Sequence, residues 1–325
     1  MGTMNRPFFL LCIALLALAA AVSAVPVTGP IVITAPGTYE LGADIRDAGE
    51  NAAIEIRASN VVLEGGGHAI IGDSARELPG ILVQGGTGAP ADRVELRNLS
   101  LRGWQYGVHA IDVSGLVLDR VTARENGDHG LYLFSVTNST VRNCTSVANH
   151  GSGVVLSDVS QDNVVDSTVA SENDHNGLML IASTRNRLLG NTVRGNGAYG
   201  IDGYLARDNV IADNLFINAN NTHIEEFDRN TWSLTASGGP NIAGGPRRGG
   251  NLWGQPDGKG FSEVTPDANG DGFCDTPYTI GTGNVDELPL KGTGTGPTAT
   301  TAPGFGGAGA FAALAILPLL RLRRR

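Results

Sequence analysis

The sequence predicts an all-β chain built as a right-handed, single-stranded parallel β-helix of about 23 residues per coil. Three observations carry this. Gly107, Gly130, Gly153, Gly177 and Gly200 recur every 23 or 24 residues. Asn126, Asn149, Asn173, Asn196 and Asn220 keep the same beat, and the first four stand four residues before a glycine of the set. Most of these glycines open an alternating apolar segment, as in GLYLF from Gly130, GVVLS from Gly153 and GLMLI from Gly177. A fixed period with strand-type alternation marks a solenoid. About 23 residues hold three short strands and their turns, whereas helical repeats need about 33 or more. The leucine framework of a leucine-rich repeat is absent.

The period assigns side chains to columns. Val108, Leu131, Val154, Leu178 and Ile201 form one inward column, and Ala110, Leu133, Leu156, Leu180 and Gly203 a second. Neither buries itself alone; stacking removes both from water. The outward column between them reads His109, Tyr132, Val155, Met179, Asp202 and Glu226, with Tyr204 close by. The recurring asparagines are expected at tight corners, tolerating a left-handed backbone and bonding side chain to side chain up the stack. Asn163, Asn186 and Asn209 make a further asparagine column, and Asn143, Asn191 and Asn214 another.

The ends differ from the middle. Residues 1–24 have a short positive lead at Arg6, an apolar stretch from Phe8 to Ala21 and small residues closing at Ala24. That is the pattern of a cleaved secretory signal. Residues 25–52 read as an amino-terminal cap with a Pro-Gly turn, shielding the first strand edges, and the repeats as 53–230. Residues 231–291 lose the beat and read as a carboxy-terminal cap. Residues 292–302 are a Gly/Thr/Pro linker. Residues 303–325 hold Pro303-Gly304-Phe305, an apolar run and a tail with Arg321, Arg323, Arg324 and Arg325. This layout resembles the PGF-type carboxy-terminal sorting signal of archaeal surface proteins. The resemblance implies cutting near the tripeptide and transfer to a lipid anchor. The alternative is a retained membrane span with the arginines inside the cell. Either way the membrane is a partner through the carboxy terminus.

The whole chain carries a net charge of −9. Removing one basic residue with the leader and four with the tail leaves 18 Lys plus Arg against 32 Asp plus Glu, a net charge of −14. Such a body does not seek nucleic acid. Cys144 and Cys274 remain and read as buried small residues, not as a bridge. Asn98, Asn138, Asn143 and Asn220 open glycosylation sequons.

A second resemblance covers about Ile31 to Leu290. The phrase PGTYEL from Pro36, SNVVLEGGGHAI from Ser59 and the NGLML coil at Asn176 resemble NosD-type β-helix proteins, within a wider group of carbohydrate-binding proteins and sugar hydrolases. It implies the same fold, with function open between copper-enzyme accessory roles and surface roles. The Asn251-Leu252-Trp253 phrase and the Asp-rich loop after it resemble the closing segment of archaeal NosD-like proteins.

Three candidate sites follow. In DANGDGFCD, Asp267, Asn269 and Asp271 stand at alternating positions, Gly272 permits the turn, and the Phe273 carbonyl and Asp275 come next. Hard oxygen donors so spaced suit a structural Ca²⁺ ion. Tyr278 replaces the usual closing glutamate, so Asp286 or Glu287 is expected to complete the shell. The outward column offers an aromatic, carboxylates and apolar groups suited to a glycan, with Asp202 and Glu226 as acid–base candidates if the chain is a polysaccharide-active enzyme. His129, His150, His175 and His223 fall near the glycine position of successive coils, a candidate copper row, but their offsets differ. No paired catalytic motif of polygalacturonases, pectate lyases or alginate epimerases is present. The reading is a surface-anchored, non-catalytic β-helix that binds glycans or surface-layer components; the enzyme and the copper-handling accessory protein are the alternatives. The sequence leaves the oligomeric state unknown.

Overall fold

The computed structural model describes residues 23–73, 77–85 and 91–292. The signal segment before Ser23, most of the linker, and the sorting signal with Pro303, Gly304 and Phe305 lie outside the described residues. Three parallel sheets wind around one core. The first has nine strands, from Val25–Val27 to Val210–Ala212. The second has eight, from Ala69–Ile71 to Leu252–Gly254. The third has nine, from Ile31–Ile33 to Thr222–Glu225. The only helix among the described residues is Phe261–Val264. Parallel pairing begins before Ala53: Val25–Val27 pairs with Gly37–Leu41, and Ile31–Ile33 with Ile54–Ile56. Three strands of the stretch read as a cap thus already pair within the sheets.

The predicted columns stack in register. Val108 pairs with Leu131, Leu131 with Val154, Val154 with Leu178 and Leu178 with Ile201. All five are buried, as are Ala110, Leu133, Leu156 and Leu180. Gly203 closes the second column because the Phe227 ring fills the space a side chain would need. Each coil also turns through corners with a left-handed residue, and these form columns of their own. One is Asn98, Arg120, Asn143, Ser167, Gly190 and Asp213. Another is Asn138, Asp162, Arg185, Asp208 and Arg229.

The ladder asparagines are not these corner residues, which corrects the sequence expectation. Most follow a left-handed residue, as Asn149 follows Ala148 and Asn186 follows Arg185, but none is itself left-handed, and their side chains turn inward. Asn126, Asn149, Asn173, Asn196, Asn218 and Asn221 form one chain, each Nδ2 donating to the next Oδ1 at 2.8–3.1 Å. Asn220, expected in this ladder, is exposed outside it. Asn163, Asn186, Asn209 and Asn230 form a second chain, and Asn191, Asn214 and Asn251 a third. Asn143 is not in the third ladder. It occupies the left-handed corner, and Cys144 takes the inward place one residue later, buried.

The satisfaction is close to complete. The Oδ1 of Asn186 accepts from both the backbone N–H and the Nδ2 of Asn163, while its own Nδ2 donates to Asn209 Oδ1 and the Ser160 carbonyl. The glycine four residues on is required by the same packing. A Cβ on Gly177 would lie 2.7 Å from Asn196 Nδ2 and 2.9 Å from the Gly200 carbonyl oxygen, so only glycine leaves room. Both cysteines are free and buried; burial pushes the Cys144 thiol up to about 12.

Asn186→Ala strands the two Asn163 donors inside the core, so it should cost roughly 2–4 kcal/mol of stability in chemical denaturation. Asn143→Gly, at a corner that favours glycine, should change stability by less than about 1 kcal/mol. Equal costs would mean that the ladder does not hold the coils.

Candidate functional site

The outward face of the third sheet is the candidate site. Register places His109 beside Tyr132, Tyr132 beside Val155, Val155 beside Met179, and Met179 beside Asp202. Asp202 then pairs with His223, not with Glu226, and Tyr204 pairs with Glu225. The last coil is two residues shorter than a 23-residue step, so Glu226 falls in the left-handed corner after the strand. Extrapolating the period through this short coil displaced the assignment. The same shortening sets Asn221 beside Gly200.

Five rings gather at one end of the face. His109 stacks on Tyr132 with centroids 4.8 Å apart and planes 5° from parallel. Tyr106 tilts against His109 at 4.9 Å and Tyr132 at 5.4 Å. His129 meets Tyr132 edge-on at 5.3 Å, and Phe134 meets it edge-on at 6.3 Å. Tyr106, His129 and Phe134 were not assigned to the face from sequence. The signal was available: Tyr106 and His129 each immediately precede a repeat glycine, as do Ser152, Asn176 and Tyr199. Burial pushes His109 down to about 4, with the neighbouring His129 adding to the shift. Burial also lowers His129, against the opposing pull of Asp128. The Ser152 N–H donates to His129 Nδ1 at 2.9 Å, which puts the ring proton on Nε2. Both imidazoles are therefore neutral at pH 7 and serve as flat rings.

The middle of the face is lower. Val155 is only 1% exposed. Ser157 Oγ donates to the Tyr132 hydroxyl at 3.4 Å, and Ser152 Oγ lies 3.9 Å from Met179 Sδ. At the far end, Asp202 is held from two sides. Its Oδ1 lies 2.8 Å from His223 Nδ1, and its Oδ2 accepts from Asn176 Nδ2 at 3.1 Å. Tyr199 stacks on His223 at 4.8 Å. The buried Asn176 Oδ1 has no hydrogen-bond partner.

The remaining candidates do not join this cluster. His150 and His175 are exposed, and His150 bonds Asp174 at 2.7 Å. The four histidines are thus split between the face and the turn. In the Asp-rich loop, Asp267 Oδ1 and Asn269 Oδ1 both accept the Asp271 N–H, at 3.0 and 2.9 Å. Asp271 Oδ1 accepts the Phe273 N–H, and Asp275 accepts the Ala268 N–H. Arg247 stands 3.3 Å from the other Asp271 oxygen. Asp286 is no part of this loop, which leaves Glu287 of the two residues expected to close the shell. Asp286 is buried under the last coil, accepting from Asn251 N–H at 2.7 Å and Trp253 Nε1 at 2.8 Å. Among the described residues no group of three or more His, Cys, Asp and Glu is placed to hold a metal ion. Nor is any described helix long and apolar enough to cross a membrane.

Residues 53–258 match the family model described as periplasmic copper-binding protein (NosD). The chain belongs to the NosD family. No curated protein matches it significantly. Solved structures similar to this NosD-family chain include ORF18 of Geobacillus virus E2, at 13% identity and a TM-score of 0.45, covering 61% of this chain and 43% of that one. The A-module of the Azotobacter vinelandii mannuronan C-5 epimerase AlgE6 is 17% identical with a TM-score of 0.43, covering 69% of this chain and 75% of that one. Pectate lyase Pel9A is 14% identical with a TM-score of 0.38, covering 62% and 70%. The chain thus spans less than half of the Geobacillus virus protein.

Asp286 makes the carboxy-terminal cap pH-sensitive. Burial pushes its carboxyl up to about 6, outweighing the N–H donors around it. A folded pKa above the unfolded one gives a contribution that is full below about pH 4 and lost as pH rises through about 6. The shift corresponds to roughly 3 kcal/mol. Stability of the wild type should fall across this window relative to Asp286→Asn; parallel pH profiles would contradict the assignment.

Proposed function

We propose that this chain is an exported β-helix protein that binds glycan chains along the third sheet, without catalysis of its own. The observation that supports it most is the five-ring cluster around Tyr132, followed along the same groove by Met179, Asp202, Tyr204 and His223. Sugar rings pack apolar faces on aromatic side chains while their hydroxyls bond polar groups placed around them. A rigid sheet holds such rings without ordering cost on binding. The leader ending at Ala24 and the tripeptide Pro303-Gly304-Phe305 support display at the outer face of the membrane, where glycans or surface-layer components are the partners.

In the enzyme alternative Glu226 leaves the column beside Asp202, and the carboxylate nearest Asp202 becomes Glu225, with His223 between them at 2.8 Å and 3.6 Å. Copper handling has the family description behind it. The imidazoles it would use are His129 and His175, which belong to no three-ligand group among the described residues. A Cu²⁺ titration that shows no uptake removes that reading.

The Asp-rich loop fits a structural Ca²⁺ ion in one respect: its side-chain oxygens are already turned in on its own amides. Calcium would take the oxygens of Asp267, Asn269, Asp271 and Asp275 and the Phe273 carbonyl, displacing Arg247 from Asp271. With an affinity of about 10⁻⁴–10⁻³ M, 10 mM Ca²⁺ should add roughly 1.4–2.7 kcal/mol of stability. Identical melting in Ca²⁺ and in chelator would exclude the ion.

Tyr132→Ala removes the ring that four others contact and should weaken binding of a glycan hexamer by at least tenfold in calorimetry, with the thermal midpoint little changed. Unaltered affinity would place glycan binding elsewhere.

A further inference from the structure

The sequence distributes charge very unevenly around the helix. Beyond the first two strands, Ile31–Ile33 and Ile54–Ile56, where Arg57 pairs with Glu55, the seven remaining segments of the third sheet with their flanking turns are 81–84, 105–112, 128–135, 151–158, 175–182, 198–205 and 220–226. They contain no lysine and no arginine. They carry six carboxylates: Asp112, Asp128, Asp158, Asp202, Glu225 and Glu226. The other two sheets differ. Arg97, Arg142 and Arg187 lie on strands of the first, and Arg102, Arg124 and Arg194 on strands of the second. Basic residues are thus excluded from one face over seven consecutive coils.

We infer that the groove selects glycans bearing protonated amino groups over acidic ones. The inference rests on the glycan-binding reading above and names the class of sugar that this face takes. Two independent features point the same way. The rings clustered at the Tyr132 end are electron-rich, and a cation held over an aromatic face is attracted to it. At the other end Asp202 is oriented by Asn176 and His223, and Glu225 stands 62% exposed beside it. The Asn176 carbonyl oxygen, buried and without a hydrogen-bond partner, is an acceptor in want of an N–H or O–H donor. An ammonium group carries only donors, so it suits the carboxylates of this face. A uronate brings a carboxylate to a surface with no arginine or lysine to receive it, and like charges there repel.

The test compares hexamers of glucosamine, N-acetylglucosamine and mannuronate on the full mature chain by calorimetry. Glucosamine should bind at least tenfold tighter than its acetylated counterpart, and mannuronate should not bind. The preference should shrink as salt rises from 50 to 500 mM, because screening weakens charge but not stacking. Asp202→Asn should weaken glucosamine binding about fivefold or more and leave N-acetylglucosamine within twofold. Glu225→Gln, at an exposed position, should act in the same direction should Asp202→Asn fail to fold. Equal affinity for the two glucosamine forms, both lost in Tyr132→Ala, would overturn the amine preference and leave the glycan face standing. Tighter binding of mannuronate would also overturn it. Absence of binding by all three hexamers would overturn the glycan face and this inference together.

Discussion

Everything in this molecule depends on making the inside of a corner polar and satisfied. A coil that turns inward every few residues brings backbone N–H and C=O groups into a core where water cannot reach them. The asparagine ladders resolve this by repetition. Each side chain accepts from the coil on one side, donates to the coil on the other, and uses its second N–H on a nearby carbonyl. Translation from coil to coil is what makes this work, so a break in register leaves several groups unpaired at once. The glycine beside the ladder follows from the same packing, since a side chain there would strike the amide.

The fold was legible because its cause is periodic. Gly and Asn recur where the ladder needs them, and the inward columns from Val108 to Ile201 could be read by counting. The errors share one origin. Asn143 and Asn220 have the right chemistry at roughly the right place, but one sits at the left-handed corner and the other on the surface. Asparagine suits both a left-handed corner and an inward ladder, and composition alone does not separate the two. The short last coil then displaced Glu226, because a period carries no record of a local deletion. The capping carboxylate Asp286 was hidden for a different reason. Its partners Asn251 and Trp253 lie more than thirty residues away.

The face of the third sheet shows how a uniform scaffold gains individuality. Inward positions are held to small and aliphatic residues by the core, while outward positions are free to vary. Rings collect at one end, a low apolar floor lies in the middle, and a carboxylate held by Asn176 and His223 closes the other end. Such a groove differs from one coil to the next in side chains but not in backbone. Its rigidity comes from the ladders behind it, so the binding face inherits the regularity of the core.

The account is tested most directly by hydrogen exchange of the asparagine side-chain amides, followed by NMR on the folded protein. The ladder amides of Asn149, Asn173, Asn186, Asn209 and Asn214 should exchange orders of magnitude more slowly than those of Asn138 and Asn143 at the exposed corners. If the two groups exchanged at the same rate, the interior would not be hydrogen-bonded from coil to coil, and the stack described here would be wrong.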